Sequence, residues 1–325
     1  MIRKFFCMLP LFLVVLWPGF GAAKNLVISI DGTGNHPDDA RELDKDTTNV
    51  YKLTDAIVVD SEQVVKYYPG VGTTGWAVWD AKGEYFGRGA RGKRDEAHEF
   101  LETHYRPGDK LFIFGFSRGA AIARDLANAI HEKGINEHRR VTIEVLGIWD
   151  TVAAFGIPMD IFGFPTGRID LGKKLDVPPN VKQTYHLVSI DETREPYTPT
   201  LVEAAENVEE VWFAGVHADV GGGFRERELA DITLSFMIDR AQRHGLRFDD
   251  ERVSKIPANA DGGGKMHPYQ GSRIQTRPRQ IFVRKNNQPS DIQPKVHKTV
   301  IERMERYDYA PGGLIELDDN YTVVP

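Results

Sequence analysis

Residues 111–123 read LFIFGFSRGAAIA, an apolar run that passes through a glycine–serine–glycine turn into small residues. The first part, 111–114, is continuously apolar, which is typical of a strand buried on both faces of a sheet. From Gly119 to Lys133, small and aliphatic residues follow a helical spacing, and Gly134 is well placed to end that helix. The stretch therefore predicts a strand, a tight turn that carries Ser117, and a helix.

The flanking sequence repeats this alternation of strand-like runs and helical patterns. A chain of 325 residues with 41% hydrophobic composition is long enough to bury such a sheet in one large domain. The alternation predicts an α/β fold of the α/β-hydrolase type, with a mostly parallel sheet and helices on both faces. Further strands are predicted at 25–30, 63–68, 141–148, 183–190 and 210–216, and further helices at 94–105 and 229–244.

The patterns weaken towards the carboxyl terminus of the chain. We predict a single domain over 24–325, in which residues 250–325 form an irregular part packed on the rest. Within that part, only 280–283 and 296–306 have the patterns of regular elements. The sequence assigns this part no function.

The first residues of the chain resemble a targeting segment. Two cationic residues precede the apolar run 5–17, and small residues follow at 21–23, so we predict a signal peptide over 1–23 that is cleaved on export. The protein would then be periplasmic or secreted. The alternative is an uncleaved anchor, because a membrane-spanning helix needs about 20 apolar residues. Cleavage would remove the single cysteine, Cys7, which excludes thiol catalysis and zinc–thiolate sites in the mature protein.

The charge distribution argues against a nucleic-acid partner. Charged residues make up 27% of the chain, and the net charge of -6 is spread without a basic block. Nucleic-acid-binding proteins typically carry a basic patch or stripe. No nucleic acid is therefore expected among the partners.

Ser117 is the predicted nucleophile. The pattern Gly-x-Ser-x-Gly occurs by chance in glycine-rich chains, but here it lies between a strand and a helix, where a nucleophilic serine is held on a strained turn. Backbone N–H groups at the start of the following helix would face a developing oxyanion. The competing interpretation is a structural turn in an ordinary α/β protein.

A serine nucleophile needs a histidine base. Among the ten histidines, His217 is the best placed, because it follows the predicted strand 210–216 and precedes three consecutive glycines at 221–223. We predict His217 as the base and keep His297 as the alternative. A histidine that only ends a strand is the structural interpretation of His217.

Two aspartates satisfy the chain order serine, acid, histidine that is usual for this class. Asp150 follows a long apolar strand, which favours a partly buried carboxylate, and Asp191 follows the next strand. We favour Asp150 as the acid that orients His217 and keep Asp191 as the alternative.

The glycine-rich turn after the first strand is the predicted second half of an oxyanion hole. The backbone N–H of Gly32 or Thr33, together with that of Arg118, would bind the oxyanion. An ordinary glycine turn is an equally good interpretation of the run 31–35. This mechanism requires no metal ion and no cofactor.

Two other functions remain open from the residues alone. The first is a metal-dependent phosphoester hydrolase, in which strand-end carboxylates and an imidazole would bind a divalent ion. Its ligands would be drawn from Asp31, Asp150, Asp191, His217 and Asp219. The second is a non-catalytic periplasmic binding protein that keeps the hydrolase fold.

Four motifs in this chain order together resemble one bacterial family: residues 31–35 (DGTGN), 115–120 (GFSRGA), 149–152 (WDTV) and 217–223 (HADVGGG). It is the α/β-hydrolase family that includes the first class of type VI secretion lipase effectors. The resemblance covers roughly residues 25–244. It implies lipase or phospholipase activity, with Ser117, Asp150 and His217 at the triad positions.

The same resemblance implies an ester or phospholipid substrate, which the enzyme could bind at a membrane surface. Effectors of that family are injected into other cells and often carry a large membrane-engaging region. This chain instead carries a predicted signal peptide and has the length of about one domain. The chain is therefore interpreted as a resident periplasmic relative, with a smaller ester as the alternative substrate. The sequence identifies no protein partner.

Overall fold

The computed structural model describes residues 23–33, 35, 47–70, 84–153, 175–257 and 262–325. The predicted signal peptide lies, apart from Ala23, outside these ranges, so cleavage and export stay predictions. None of the helices in the described ranges has the length and apolar character required to cross a membrane.

A central sheet of eight strands organises the described part of the chain. The strands are β1 (Asn25–Ile30), β2 (Gln63–Tyr68), β3 (Lys110–Phe116), β4 (Ile143–Trp149), β5 (Val181–Ser189), β6 (Val208–Phe213), β9 (Lys295–His297) and β10 (Thr322–Val324), and the short strands β7 (Val283–Lys285) and β8 (Gln288–Ser290) form a separate antiparallel pair. Their order in the sheet is β10-β9-β6-β5-β4-β3-β1-β2, and neighbouring strands pair in parallel. The predicted mostly parallel sheet is confirmed.

Helices cover both faces of this sheet. They are α1 (Asn49–Ala56), α2 (Glu84–His104), α3 (Arg118–Lys133), α4 (His217–Gly221), α5 (Glu228–Arg243), α6 (Asp250–Ser254), α7 (Lys298–Arg306) and α8 (Gly312–Ile315). In β1, Leu26 and Ile28 pack in one core with α2 and α3, whereas Val27 packs in the other core with α1 and α5. Successive side chains of a strand point to opposite faces, so a strand buried on both sides is continuously apolar. The α/β-hydrolase type of fold is confirmed.

Helices α1, α4, α6 and α8 were not predicted, and α2 is longer than predicted. Helix α2 begins at Glu84 rather than at Arg94. Helix α1 was not predicted, because its eight residues are too few for a clear periodic pattern. Its start is nevertheless encoded locally, since the hydroxyl of Thr48 accepts a hydrogen bond from the N–H of Tyr51 at 3.2 Å and caps the helix.

The carboxyl-terminal part is more regular than predicted. The run 296–306, read as one element, divides into β9 and α7, and β9 pairs with β6 while β10 pairs with β9. Val296 and Val300 are fully buried in a third core cluster between the sheet and these elements. Three-residue strands leave no periodic signal in a sequence, so only the tertiary structure reveals that this part completes the sheet.

The strand order creates a switch point between β1 and β3. After β1 the chain passes to the neighbouring β2 on one side, whereas after β3 it passes to β4 on the other side. The loops that leave these two strands therefore separate and border a crevice at the carboxyl ends of the strands, where ligands of open α/β sheets bind. Ser117 and residues 31–33 lie at this position.

A close contact between α3 and β1 generates a stability prediction for Gly119. A Cβ at this position would lie 2.2 Å from the carbonyl oxygen of Ile30 and 2.5 Å from that of Asp31. Because both are backbone atoms, we expect Gly119→Ala to lower the free energy of unfolding by about 2–3 kcal/mol or more in urea denaturation.

The matched control for this substitution is Gly92→Ala in α2. A Cβ on Gly92 would have no neighbour within 4 Å. That variant should be neutral or up to about 1 kcal/mol more stable, because alanine favours the helix. Equal stabilities of the two variants would show that α3 does not need the glycine contact.

Candidate active site

The turn at Ser117 joins β3 to α3 in a strained conformation. Ser117 has φ 57° and ψ -122°, a combination that non-glycine residues rarely adopt. Two hydrogen bonds hold it: the N–H of Ser117 donates to the carbonyl of Trp149 at 3.0 Å, and the N–H of Val152 donates to the carbonyl of Ser117 at 3.1 Å. The serine is thus fixed on a sharp turn directly beside the end of β4.

The glycines on either side of this turn are sterically required. A Cβ on Gly115 would lie 2.6 Å from the carbonyl oxygen of Gly119 and 2.7 Å from the Cα of Ala120. Gly119 in turn meets the backbone of β1. The Gly-x-Ser-x-Gly pattern is therefore explained by the close approach of the strand, the helix and the neighbouring strand.

His217 begins α4 and contacts the carboxylate of Asp150. The two residues are separated by 67 positions, and His217 Nδ1 lies 2.5 Å from Asp150 Oδ2. Because a carboxylate accepts, Nδ1 is the protonated nitrogen, and Nε2 is left with the lone pair in the neutral ring. His217 is 5% exposed and Asp150 is fully buried, so water does not weaken this contact.

Two aromatic rings fix the plane of the imidazole. The rings of Phe116 and His217 have centroids 4.6 Å apart, and those of Tyr197 and His217 are 4.9 Å apart. Phe116 directly precedes Ser117 in the chain, so this packing brings the imidazole to the serine turn. A Cβ on Gly221 would clash with the Phe116 ring, which explains one of the three glycines after His217.

The charge states of this pair follow from its surroundings. Burial disfavours a charged carboxylate at Asp150, but the guanidinium of Arg279 and the hydrogen bond from His217 outweigh it and hold the pKa of Asp150 well below its ordinary value. Burial lowers the pKa of His217, and the negative charge of Asp150 offsets only part of that effect. Near neutral pH, the pair is therefore an ionised carboxylate with a neutral imidazole.

The backbone at Asp150 is also strained and is held by hydrogen bonds to β5. Its φ is 38°, in the left-handed region, and its N–H donates to the carbonyl of Leu187 at 2.8 Å. The next N–H, of Thr151, donates to Nε2 of His186 at 3.2 Å. The other nitrogen of that ring donates to Glu210 at 2.8 Å, so a buried histidine and a glutamate fix the turn that carries the acid.

The turn after β1 lies against the serine turn. A Cβ on Gly32 would be 3.3 Å from the Cβ of Ser117. The N–H of Gly32, however, donates to the carboxylate of Asp31 at 2.6 Å. That bond occupies the amide predicted as one oxyanion donor, so Thr33 stays the predicted donor from this loop. Arg118 is the first residue of α3, and its N–H lies at the positive end of the helix dipole.

Asp31 is itself buried and tied into its own loop. Its carboxylate accepts the hydroxyls of Thr48 and Tyr67, each at 2.6 Å, besides the N–H of Gly32. Burial raises the pKa of Asp31 to about 6, although these hydrogen bonds favour the ionised form. These three hydrogen bonds hold the conformation of the glycine turn and occupy the Asp31 carboxylate.

The alternative acid and base lie in other environments. Asp191 accepts the N–H of Gly215 at 2.7 Å and the hydroxyl of Tyr309 at 2.8 Å, and burial raises its pKa to about 6. His297 caps α7, with Nδ1 2.8 Å from the hydroxyl of Thr299, and burial lowers its pKa to about 4. Of the sequence-predicted candidates, Asp150 is the one whose carboxylate contacts His217.

The aspartates proposed as metal ligands do not converge. Asp219 accepts the N–H of Val216 at 3.0 Å and pairs with Nδ1 of His267 at 2.7 Å, while Asp31, Asp150 and Asp191 have the separate partners given above. Within the described ranges, the structure contains no group of three or more histidine, cysteine, aspartate or glutamate side chains that could hold a metal ion.

Sequence reasoning missed Arg279. This arginine comes from the carboxyl-terminal part, is 8% exposed, and donates through Nη1 and Nη2 to both oxygens of Asp150, at 2.6 Å and 2.9 Å. It stands just before the apolar run 281–283, in no motif with a chemical meaning. The sole signal was an arginine adjoining the regular element predicted at 280–283.

Two solved structures and one further protein are similar to this chain. A structure described as an uncharacterised protein from Pseudomonas aeruginosa aligns with a TM-score of 0.55 and 22% identity over 72% of this chain and 48% of that one. The Tle1 effector, solved bound to the VgrG spike of the type 6 secretion system, aligns with a TM-score of 0.45 and 24% identity over 64% of this chain and 52% of that one. An uncharacterised protein of Saccharomyces cerevisiae is 30% identical over 153 residues, which cover 40% of this chain and 21% of that protein.

The chain spans about half or less of the length of these relatives. The model of one family, the catalytic domain of Tle1-like phospholipase effectors of type VI secretion, matches residues 24–141 and 135–240. This match covers well over half of the chain and includes all four motifs, which confirms the resemblance noted in the sequence. The chain belongs to the family of Tle1-like phospholipase effector catalytic domains.

Proposed function

We propose that this protein is a serine hydrolase that cleaves carboxylic esters through an acyl-enzyme intermediate. Ser117 attacks the ester carbonyl, His217 takes the hydroxyl proton and passes it to the leaving alcohol, and Asp150 orients His217. Water then attacks the acyl-enzyme with the same base and releases the acid. The observation that carries the proposal is the buried contact of 2.5 Å between His217 and Asp150, beside the strained turn of Ser117.

The electrostatics of the pair support this assignment. A general base must be neutral before it can accept a proton, and burial favours the neutral form of His217 by lowering its pKa. The imidazolium that forms during the reaction is stabilised by the ionised Asp150, whose pKa is held low. The two groups thus have the different protonation states that the proton transfer requires.

The oxyanion would be bound by backbone amides. We assign this role to the N–H groups of Arg118 and Thr33, because α3 begins at Arg118 and the loop after β1 lies against Ser117. The positive end of the α3 dipole adds to the attraction. Asp31 would act indirectly, by shaping the turn that presents Thr33.

Membership of a phospholipase effector family supports a lipid as substrate. We propose the acyl ester of a phospholipid, presented at a membrane surface, with a smaller ester as the alternative. Activity on soluble short-chain esters without activity on phospholipid vesicles would favour that alternative while leaving the chemistry unchanged.

Export to the periplasm is a separate part of the proposal. It rests on the cationic and apolar pattern of residues 1–23. Sequencing the amino terminus of the native protein should give a chain that begins near Lys24. A native protein that begins at Met1 would instead favour the membrane anchor.

Replacement of the nucleophile is the first test of the mechanism. Ser117→Ala should reduce kcat for ester hydrolysis on the order of 10⁶-fold, because no other group replaces the attacking oxygen. The wild-type protein should be labelled by a fluorophosphonate at Ser117, and its rate should persist after exhaustive chelation of metal ions. Ser254→Ala, at the exposed end of α6, is the matched control and should keep full activity. Undiminished turnover by the Ser117→Ala variant would refute the proposal. Loss of wild-type activity on chelation would also refute it.

The choice of acid is tested by two matched carboxylate substitutions. Asp150→Asn should lower kcat by roughly 10⁴-fold, because an amide no longer stabilises the tautomer protonated at Nδ1. Asp191→Asn is isosteric and lies at a partly buried position, but Asp191 bonds to Gly215 and Tyr309, so that variant should keep most of its activity. Steady-state kinetics on one ester substrate measures both, and the reverse ranking would assign the acid to Asp191.

A further inference from the structure

Arg279 contacts both oxygens of the Asp150 carboxylate. Nη1 donates to Oδ1 at 2.6 Å and Nη2 donates to Oδ2 at 2.9 Å, so the planar guanidinium and the carboxylate form a bidentate pair. The Arg279 side chain is 5% exposed and that of Asp150 is fully buried. A surface ion pair contributes little, but this one lies where solvent does not screen it.

The guanidinium is fixed by further acceptors around it. Nη1 also lies 2.7 Å from both the carbonyl and the hydroxyl oxygen of Ser189, at the end of β5, and its second N–H points to them. Nη2 donates to the carbonyl of Tyr197 at 2.5 Å, and the ring of Tyr197 packs on His217. Arg279 therefore joins the ends of two strands to the segment that holds the imidazole plane.

We propose that Arg279 is a positioning residue of the catalytic site, which holds the Asp150 carboxylate in the plane that receives the His217 proton and disfavours the charged imidazolium by its own positive charge. This inference rests on the proposed function, because it assigns a role within the same triad. Arg279 touches neither the nucleophile nor the base and acts through Asp150.

The orienting part of this role follows from the hydrogen bonds of Asp150. Apart from Arg279 and His217, the carboxylate accepts the N–H of Ser189 at 3.1 Å. Without the guanidinium, the carboxylate would keep two donors and could rotate about its Cβ–Cγ bond. A rotated carboxylate leaves the imidazole free to adopt the wrong tautomer or ring angle.

The electrostatic part follows from the charges that face His217. Burial is the largest influence on the pKa of His217 and lowers it. Asp150 and Glu192 raise this pKa, whereas Arg279 lowers it. Glu192 also accepts the N–H of His217 at 3.3 Å, but its charge is shared with Arg194 through contacts of 2.8 Å and 2.6 Å. Two further groups near His217 are the ring of Phe116 in β3 and the carboxylate of Asp219 in α4, which pairs with His267. The ring of Tyr197 also lies there, with the guanidinium groups of Arg118 and Arg194 over it.

Arg279 comes from the carboxyl-terminal part of the chain. The family model matches residues up to 240, so Arg279 lies beyond the matched region. The carboxyl-terminal part also supplies β9 and β10 to the sheet. That part therefore both extends the fold and contacts the acid of the candidate site.

The test compares Arg279→Met with Arg279→Lys and with the control Arg277→Met. Arg277 is exposed and lines the same cavity of about 440 Å³ as Arg279. Methionine removes both the orientation and the charge, whereas lysine keeps the charge but loses the planar pair of donors. Thermal unfolding of each variant checks that the fold is retained, and the lysine variant remains informative if the methionine variant does not fold.

We expect kcat to report the orientation of the carboxylate. Arg279→Met and Arg279→Lys should both lower kcat by roughly 10²-fold, less than the loss of the acid itself, with KM nearly unchanged. Arg277→Met should match the wild type. Wild-type kcat in both Arg279 variants would overturn the positioning role.

The pH dependence reports the charge. In the wild type, kcat/KM should fall as the pH decreases through the lowered pKa of His217, so the acid limb should lie below pH 6.5, the ordinary value. Arg279→Met removes a nearby positive charge and should move this limb to higher pH, whereas Arg279→Lys should leave it near the wild-type position. An unchanged or lower limb in the methionine variant would overturn the electrostatic role.

A readout without turnover separates this inference from the proposed function. The imidazole signals of His217 can be followed by NMR titration and identified by their loss in His217→Gln. The midpoint should rise in Arg279→Met relative to the wild type. If Ser117→Ala leaves hydrolysis intact, the proposed function fails, while this titration still decides whether Arg279 controls the charge of His217.

Discussion

The fully buried carboxylate of Asp150 is the constraint on which the candidate site depends. A buried negative charge is costly unless it is paired and fully hydrogen-bonded. Here it receives Arg279 on both oxygens, His217 on one of them and the N–H of Ser189 on the other. These donors come from distant parts of the chain, so the tertiary structure is required to bring them to the carboxylate.

The ends of two neighbouring strands place the turns of Ser117 and Asp150 side by side. Ser117 and Asp150 follow neighbouring parallel strands, and the N–H of Ser117 donates to the last residue of β4, Trp149. Both residues have positive φ, and both are held by bonds to the adjacent strand. Strain of this kind costs on the order of 1–3 kcal/mol per residue and persists only where the surrounding packing fixes it. The parallel sheet provides that packing and brings the two turns together.

The carboxyl-terminal part contributes to both the fold and the site. Strand β9 extends the sheet beside β6, and Val296 and Val300 are buried against it. The same part supplies Arg279 to Asp150 across 129 positions of the chain. Ile281, two positions after Arg279, packs in the same core cluster as Val296 and Val300, so this cluster connects the last strands to the segment that contacts Asp150.

Local sequence determined the fold class and the principal candidate residues. Continuous apolar runs specified buried strands, and the glycines around Ser117 specified a turn, because these signals depend on neighbours in the chain. The order of Ser117, Asp150 and His217 was also visible there. Only the tertiary structure decided that Asp150, rather than Asp191, is the carboxylate in contact with His217. It also showed that Asp31 accepts the N–H of Gly32 and that Arg279 lies at the site. Each of these depends on which side chains meet in space, and contacts between distant residues leave no local pattern in a single sequence.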